Sequence, residues 1–220
     1  MSFLHNIRSS VRHLFKKKDC KQLKNDNFSI FSSNCIGGVL YHDYGMKFLS
    51  PTINLWMSPS DFIKFCSNPS KYLTADFVSV PLEVNYPVAK CEDITLHLLH
   101  YTSLENAQKD WRRRASRINW KNLYIIMTER DGCTEDDLLN FDSLPYANKI
   151  VFVHKPMPEI KSSFYIPGTE MKKTDPLHKI ISLTDFVYRV SYIRFLDKFD
   201  WIEFFNTGKR RLTEKSQRKF

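Results

Sequence analysis

The amino-acid sequence predicts an α/β fold: a three-layer, Rossmann-like unit with a mostly parallel sheet, helices on both faces and basic terminal arms. Short apolar runs alternate with capped helices along most of the 220 residues, which is the pattern of a layered α/β domain. The run from Leu123 to Thr128 is apolar on both faces, as expected of a strand inside a parallel sheet. With 42% hydrophobic residues, the chain can build the core that such a domain needs.

Cap residues and apolar runs predict six elements in the first half of the domain. Ser58, followed by Pro59 and Asp61, is the start signal of a helix that continues to about Cys66. Ser103 opens another helix, which reaches about Ser116. The other predicted elements are strands at 28–33, 76–80 and 94–100 and a helix at 39–48.

The second half repeats the alternation of strand and helix. After the strand at 123–128, Thr134 and Asp137 have the spacing of a capping box and open a helix. A strand at 149–153 follows. Thr184 and Asp185 then predict the start of a long helical region that ends near residue 206.

Positive charge is concentrated at the two ends of the chain. Residues 1–25 and 207–220 together carry a net charge of +11, whereas residues 26–206 carry −2. We therefore divide the chain into a basic N-terminal arm (1–25), a single α/β domain (26–206) and a basic C-terminal tail (207–220). This distribution argues against nucleic acid as a partner and favours basic arms that meet an anionic surface.

The first 18 residues have the pattern of a basic amphipathic helix. Such a helix can lie in the headgroup layer of an anionic membrane, or it can pack on its own domain or on a second subunit. The sequence has no apolar run long enough to span a bilayer and no signal-peptide pattern. Its five cysteines include no CxxC pair, which indicates a reducing compartment. We expect a cytoplasmic protein that can bind peripherally to the inner face of the membrane.

Polar and titratable residues follow four of the predicted strands. In parallel α/β sheets, the groups that bind or react gather beyond the carboxyl ends of the strands, because the loops converge there. The sequence therefore predicts a site along this edge. Its candidate residues are Asn34, Cys35, Gly37 and Gly38 after the first strand, His100 after residues 94–100, Glu129, Arg130 and Asp131 after residues 123–128, and His154 after residues 149–153.

Cys35 is a candidate nucleophile. A helix N-terminus and a nearby histidine, His100 or His154, would activate its thiol, and the backbone amides of Gly37 and Gly38 could face an oxyanion or a phosphate. The alternative is a small thiol packed at a tight turn. We expect His97 to be a core histidine satisfied by a hydrogen bond.

Two further groups suit the recognition of an anionic substrate. Glu129 and Asp131 have the spacing of carboxylates that hold Mg or Mn against the diphosphate of a nucleotide sugar; alternatively, Asp131 belongs to a turn and Arg130 is a structural partner. Arg113, Arg114 and Arg117 can share a helix face that suits a phosphate or carboxylate. The alternative for these arginines is a solvated face with salt bridges.

Several motifs, in order and at matching spacing, resemble a bacterial family of exopolysaccharide biosynthesis proteins, the domain of unknown function nineteen-nineteen. The resemblance covers about residues 28–206 and leaves out both basic ends. The motifs are the stretches 33–43, 48–54, 117–119 and 131–134, the pairs His100-Tyr101, Phe141-Asp142 and Leu144-Pro145, and the single residues Ala107 and Trp111.

The resemblance implies a role in the assembly of a surface polysaccharide. Its leading expectation is glycosyl transfer from an anionic sugar donor to a polysaccharide or lipid-linked acceptor, with Asp131 or His100 as the base. Two alternatives are a cysteine-dependent acyltransferase or hydrolase that uses Cys35, and a non-catalytic subunit that binds sugar or protein. No GxGxxG fingerprint for a dinucleotide is present.

Overall fold

The structure is a computed structural model that describes residues 11–12, 16, 19–24, 26–171, 175, 177–188 and 191–217. Its core is a four-stranded sheet with helices on both faces. In chain order the elements are β1 (Ser29–Ser32), α1 (Ile36–Asp43), α2 (Pro59–Ser67), α3 (Pro69–Leu73), β2 (Phe77–Ser79), β3 (Val88–Cys91), β4 (Ile94–His97), α4 (Leu104–Ala115), β5 (Leu123–Thr128), α5 (Glu135–Ser143), β6 (Lys149–Val153), β7 (Ser163–Tyr165), a 3₁₀ helix (Phe195–Lys198), α6 (Trp201–Thr207) and α7 (Glu214–Gln217).

The central sheet has the strand order β1-β5-β6-β7, and each neighbouring pair is parallel. The register places Ile30 beside Tyr124 and Ile126 beside Ile150. Because all four strands run the same way, their carboxyl ends lie at one edge of the sheet. This confirms the prediction of a mostly parallel α/β sheet.

The two faces of the sheet are covered by separate apolar clusters. Phe31, Ile125 and Val151 face one cluster, which includes residues of α2, α4 and α5. Their neighbours Ile30 and Ile126 face the other, which includes α1 and α6. Alternate strand residues therefore point to opposite helical layers, and the three-layer architecture is confirmed.

A second, antiparallel sheet has the order β2-β3-β4. The predicted strand at 94–100 therefore ends at His97 and does not belong to the central sheet. The segment at residues 56–57 connects the two sheets: Trp56 pairs with His97, and the Met57 amide donates to the Ser33 carbonyl at 3.0 Å. This connection places the residues after β4 beside the carboxyl end of β1.

The predicted helix starts at Ser58, Ser103 and Thr134 are all confirmed. The hydroxyl groups of Ser58 and Ser103 each accept a bond from an amide three residues later. Thr134 and Asp137 form a reciprocal capping box. Each of these caps satisfies an amide that the helix leaves without a partner.

Two predicted helices differ from those in the structure. The helix expected at 39–48 is α1, which begins earlier because the Asn34 side chain accepts from the Ile36 amide, and which stops before Gly45 at φ 62°. The long helix expected from Thr184 is absent. Instead, the chain folds back so that Phe186 pairs with Arg194, and α6 starts separately at its cap Asp200.

The described parts of both basic ends contact the domain. Arg12 is buried and pairs with Asp43 and Asp197, and Lys16 also pairs with Asp197. In the tail, Leu212 pairs with Phe199. Residues 1–10 of the predicted amphipathic helix lie outside the described residues. No helix in the described part of the chain is both long and apolar enough to span a membrane.

Candidate functional site

Two hollows, each of about 240 Å³, lie at the carboxyl end of β1, and Cys35 lines both. The first hollow is formed by the ends of β1 and β5 with the segments around Trp56 and Leu183. The second lies between α1, the turn at Asn54 and Arg194. The first is lined by Asn34, Cys35, Ile36, Trp56, Leu99, Arg130, Asp131, Ser182, Leu183 and Thr184, and the second by Cys35, Gly38, Val39, His42, Asp43, Phe48, Asn54, His100 and Arg194.

Cys35 and His100 are in contact at the boundary of the two hollows. The distance from Cys35 Sγ to His100 Nε2 is 3.7 Å. The His100 amide donates to the Asn54 carbonyl at 3.4 Å, and Asn54 adopts a left-handed backbone with φ 67°. The turn at Asn54 therefore positions an imidazole, 65 residues away in sequence, beside the thiol.

The turn that presents Cys35 is held from both sides. The Asn34 amide group donates to Thr128 Oγ1 at 2.8 Å, which joins the ends of β1 and β5. Cys35 is the N-cap residue of α1, so the amides of Gly37 and Gly38 belong to the first turn, whose N–H groups have no partner within the helix. A Cβ at Gly37 would lie 3.0 Å from Ser32 Cβ, so glycine allows α1 to approach β1 closely.

Burial and a nearby negative charge both act against ionisation of the Cys35 thiol. Burial raises its pKa, and the negative charge of Asp131 raises it further. A reaction at Cys35 therefore needs a base that removes the thiol proton, and His100 is in position to do so.

Asp131 lies in the first hollow on a strained turn, with φ 58°. Its amide donates to His178 Nδ1 at 3.2 Å. Burial raises the pKa of the Asp131 carboxyl, opposed by the charges of Arg130, His178 and His97. Arg130 lines the same hollow and donates to the Ile180 carbonyl at 2.5 Å.

Glu129 and His154 form a separate ionic cluster that lines neither hollow. Glu129 is fully buried; its Oε2 lies 2.6 Å from His154 Nδ1 and its Oε1 lies 2.9 Å from Lys179 Nζ. The carboxylate is thus engaged by two side chains, and His154 is held away from Cys35. The predicted edge brings Cys35, His100 and Asp131 together, but His154 is not part of that group.

The arginines predicted to bind a donor lie elsewhere. Arg113 is exposed and pairs with Asp110, and Arg114 is buried, where it bonds to Asp110 and the Tyr101 hydroxyl. Arg117 follows the end of α4 and lines neither hollow. Trp111, Ala107 and Arg114 form the buried side of α4, whereas Arg113 is on its exposed side. The interpretation as a structural and solvated face is the one the geometry supports.

A metal site is not formed by Glu129 and Asp131 alone. The Glu129 carboxylate is engaged by His154 and Lys179, which leaves Asp131 as the carboxylate in the first hollow. Within the described ranges, no group of three or more His, Cys, Asp or Glu residues could hold a metal ion.

Sequence reasoning missed several residues of the site. Trp56 stacks on His97, with ring centroids 3.8 Å apart, and no described residue bonds to the buried His97 Nδ1. His97 is therefore held by stacking rather than by the expected hydrogen bond. His178, Thr184 and Arg194 come from the long segment after β7, and no local pattern in the sequence connects them to Cys35.

Comparison with known proteins gives a family and a relative. The family model described as "Domain of unknown function (DUF1919)" matches residues 6–206. A protein of Haemophilus influenzae named "Uncharacterized protein" is 39% identical over 210 residues, which cover 94% of this chain and 99% of the relative. Neither description states a reaction, so the chemistry must be inferred from the site.

Proposed function

This chain belongs to the DUF1919 family, and on the geometry of its site we propose that it transfers an acyl group through Cys35, with His100 as the general base. The observation that carries the proposal is the 3.7 Å contact between Cys35 Sγ and His100 Nε2. The contact lies where both hollows open onto the thiol. A nucleophile beside a base, with space for two substrates, is what covalent group transfer needs.

The first half-reaction forms a thioester. His100 Nε2 accepts the thiol proton as Cys35 Sγ attacks the carbonyl carbon of an ester or thioester donor. The carbonyl oxygen then carries the negative charge, and the first-turn amide of Gly37 is an available donor for it. When the tetrahedral species collapses, the bond to the leaving alkoxide or thiolate breaks, and that group takes the proton back from His100.

The second half-reaction regenerates the enzyme. His100 removes a proton from an acceptor hydroxyl, whose oxygen attacks the thioester carbonyl, and Cys35 leaves as a thiolate that recovers the proton. Water in place of the acceptor gives hydrolysis. Because the pKa of Cys35 is raised, the thiol is a weak nucleophile without the base, and the reaction depends on the contact with His100.

The first hollow suits an acceptor rich in hydroxyl groups. Asp131, Arg130, Ser182 and Thr184 supply polar groups, and Trp56 adds an aromatic wall. Sugar rings offer both hydroxyl groups and an apolar face to such a site. We therefore propose a carbohydrate acceptor, in keeping with the resemblance to proteins of surface-polysaccharide assembly.

Glycosyl transfer is the second candidate, and the position of Asp131 favours it. Burial raises the pKa of this carboxyl beside Arg130, which suits a base that takes the proton of an acceptor hydroxyl. This candidate predicts that a nucleotide sugar, with or without Mg or Mn, raises the melting temperature and that Asp131→Ala removes the effect. If no nucleotide sugar in a panel raises the melting temperature, this candidate fails.

Peripheral attachment to an anionic membrane remains part of the proposal. In the N-terminal arm, Arg12 and Lys16 are paired with Asp43, Asp197 and Asp19, whereas Lys21 and Lys24 are exposed. Lys209 and Arg210 in the tail are exposed as well, so both basic ends have described cations that can face lipid. A vesicle sedimentation assay tests this attachment. We expect the protein to sediment with anionic vesicles but not with neutral ones, and we expect the sedimented fraction to fall when Lys209 and Arg210 are replaced by Gln.

The acyl-transfer proposal is tested with an activated ester. We expect wild-type protein to release p-nitrophenolate from p-nitrophenyl acetate, and Cys35→Ser to lower the rate by about a thousandfold or more. Cys20→Ser is the matched control, because Cys20 is also half-buried but bonds to the Tyr44 carbonyl away from both hollows. Equal rates in wild type and Cys35→Ser would remove the proposal.

A further inference from the structure

The second hollow has an arginine whose charge is not matched by a carboxylate. Arg194 Nη1 donates to the Thr184 carbonyl, and its guanidinium lies 4.4 Å from the centre of the Phe186 ring. Its Nε is buried, with no hydrogen-bond partner among the described residues. Within that same part of the chain, no carboxylate lies within ion-pair distance of Arg194.

Of the three carboxylates that act on this arginine, Asp43 and Asp197 are engaged by other cations, and Asp185 is exposed and lies beyond ion-pair distance. Both oxygens of Asp43 accept from Arg12, and Asp197 is shared by Arg12 and Lys16. The charge of Arg12 and burial together lower the pKa of Arg194. Arg194 therefore has no carboxylate within ion-pair distance among the described residues, and an external anion could supply the missing negative charge.

Other anion-binding groups line the same hollow. His42 is exposed on α1, His100 lies at the boundary with the first hollow, and Gly38 contributes an amide from the first turn of α1. A Cβ at Gly38 would be in ordinary van der Waals contact with Ile53, at 3.5 Å. These groups come from three separate segments and converge beside Cys35.

We propose that the second hollow binds a phosphate group, with Arg194, His42 and the Gly38 amide as its ligands. A guanidinium and backbone amides are suited to phosphate oxygens. The hollow, of about 240 Å³, has room for a phosphate and a few further atoms. The assignment rests on the proposed function only for what the phosphate carries, namely an acyl donor whose carbonyl reaches Cys35.

The test measures protection of Cys35 from alkylation by iodoacetamide, a neutral reagent, with each cysteine followed by peptide mass spectrometry. At constant ionic strength, millimolar inorganic phosphate is expected to slow alkylation of Cys35 at least severalfold and to leave Cys20 unchanged. Arg194→Gln should abolish this protection and His42→Gln should weaken it. Arg113→Gln is the matched control, because this exposed arginine lies outside both hollows.

Two arms of the experiment separate a loss of binding from a loss of fold. Arg194→Lys keeps the positive charge and should retain part of the protection. His42→Gln changes an exposed side chain and should leave the urea midpoint unchanged. The proposal is overturned if sodium chloride protects Cys35 as well as phosphate does, or if a folded Arg194→Gln protein is still fully protected.

The same assay identifies the source of the phosphate. Protection by glycerol phosphate indicates a water-soluble donor, whereas protection by phosphatidic acid vesicles alone indicates a lipid-linked one; either result supports a phosphate site. Protection of Cys35 without any acylation by p-nitrophenyl acetate would keep the phosphate site and reject the acyl-transfer function. Acylation without protection would do the opposite.

Discussion

Two histidine-containing pairs, His154 with Glu129 and His100 with Cys35, lie beyond the carboxyl ends of the strands. They differ in whether the pair is open to a substrate. His154 is 2.6 Å from the fully buried Glu129, which also contacts Lys179. His100 is exposed and only touches Cys35, at 3.7 Å. The first pair is bonded within the protein and lines neither hollow, whereas the second lies between two open hollows.

The comparison shows that residue type alone does not identify a site. Both pairs follow strands, and both contain titratable side chains that the sequence marks as candidates. The difference is that Glu129 meets partners from neighbouring segments: its Oε2 accepts from the His154 amide and contacts the His154 ring, and its Oε1 lies 2.9 Å from Lys179 Nζ. Cys35 has a raised pKa and no such partner, so its proton must be removed by a neighbouring base.

The largest expected effect comes from the base. His100→Asn removes the proton acceptor for Cys35, and we expect the rate of p-nitrophenolate release to fall by roughly 10²–10⁴-fold. His154→Asn is the matched control, since this histidine is bound to Glu129 and lines neither hollow. If the two variants lose activity equally, the contrast between the pairs is wrong.

Glu129→Gln should affect stability rather than chemistry. The substitution places an amide where two cationic or donor groups meet, and we expect the free energy of unfolding to fall by about 1–3 kcal/mol, with the partial exposure of Lys179 and His154 limiting the loss. Urea denaturation measures it. The exposed Glu159→Gln is the control; an unchanged midpoint for Glu129→Gln would contradict the structural role of the cluster.

Asp131→Asn should make Cys35 more reactive toward an alkylating reagent. The negative charge of Asp131 raises the pKa of the thiol, so its removal lowers that pKa and increases the thiolate fraction at a given alkaline pH. We expect the alkylation profile to shift to lower pH and the rate near pH 8 to rise severalfold. Asp136→Asn, an exposed change on α5, should leave the profile in place, and a shift to higher pH in Asp131→Asn would contradict the electrostatic account.

Arg113→Ala is expected to have the smallest effect. Its pair with Asp110 is solvent-exposed and joins residues three apart on one helix, so its loss should change the unfolding free energy by no more than about 0.5 kcal/mol. The rate of ester cleavage should remain unchanged. A strong loss of activity would indicate that the arginines of α4 take part in the site after all.

The fold was largely predictable because its signals are local. The burial of Leu123 to Thr128 on both faces and the caps at Ser58, Ser103 and Thr134 are patterns within a few residues. The prediction of a long helix after Thr184 was wrong because the structure there depends on contacts that are not local. The apolar residues of this region fit a helix, but Asp197 caps the Arg194 amide and Phe186 pairs with Arg194, so contacts between distant residues decide the structure.

The candidate site was predictable in part. The rule that polar strand ends converge brought Cys35 and Asp131 together because β1 and β5 are adjacent and parallel. His100 lies at the site for a different reason: Trp56 pairs with His97, which brings the residues after β4 beside the end of β1. Arg194 and Thr184 had no local signal, because their position depends on how the segment after β7 packs against β5 and α1.

The most direct test of the account is to trap the covalent intermediate. Wild-type protein is mixed with p-nitrophenyl acetate, quenched in acid and digested, and the acetylated peptides are identified by mass spectrometry. We expect an acetyl thioester on the peptide that contains Cys35, labile to hydroxylamine and strongly reduced in His100→Asn. No acetyl group at Cys35, or equal labelling of Cys20 and Cys35, would contradict the assignment of Cys35 and His100 as nucleophile and base.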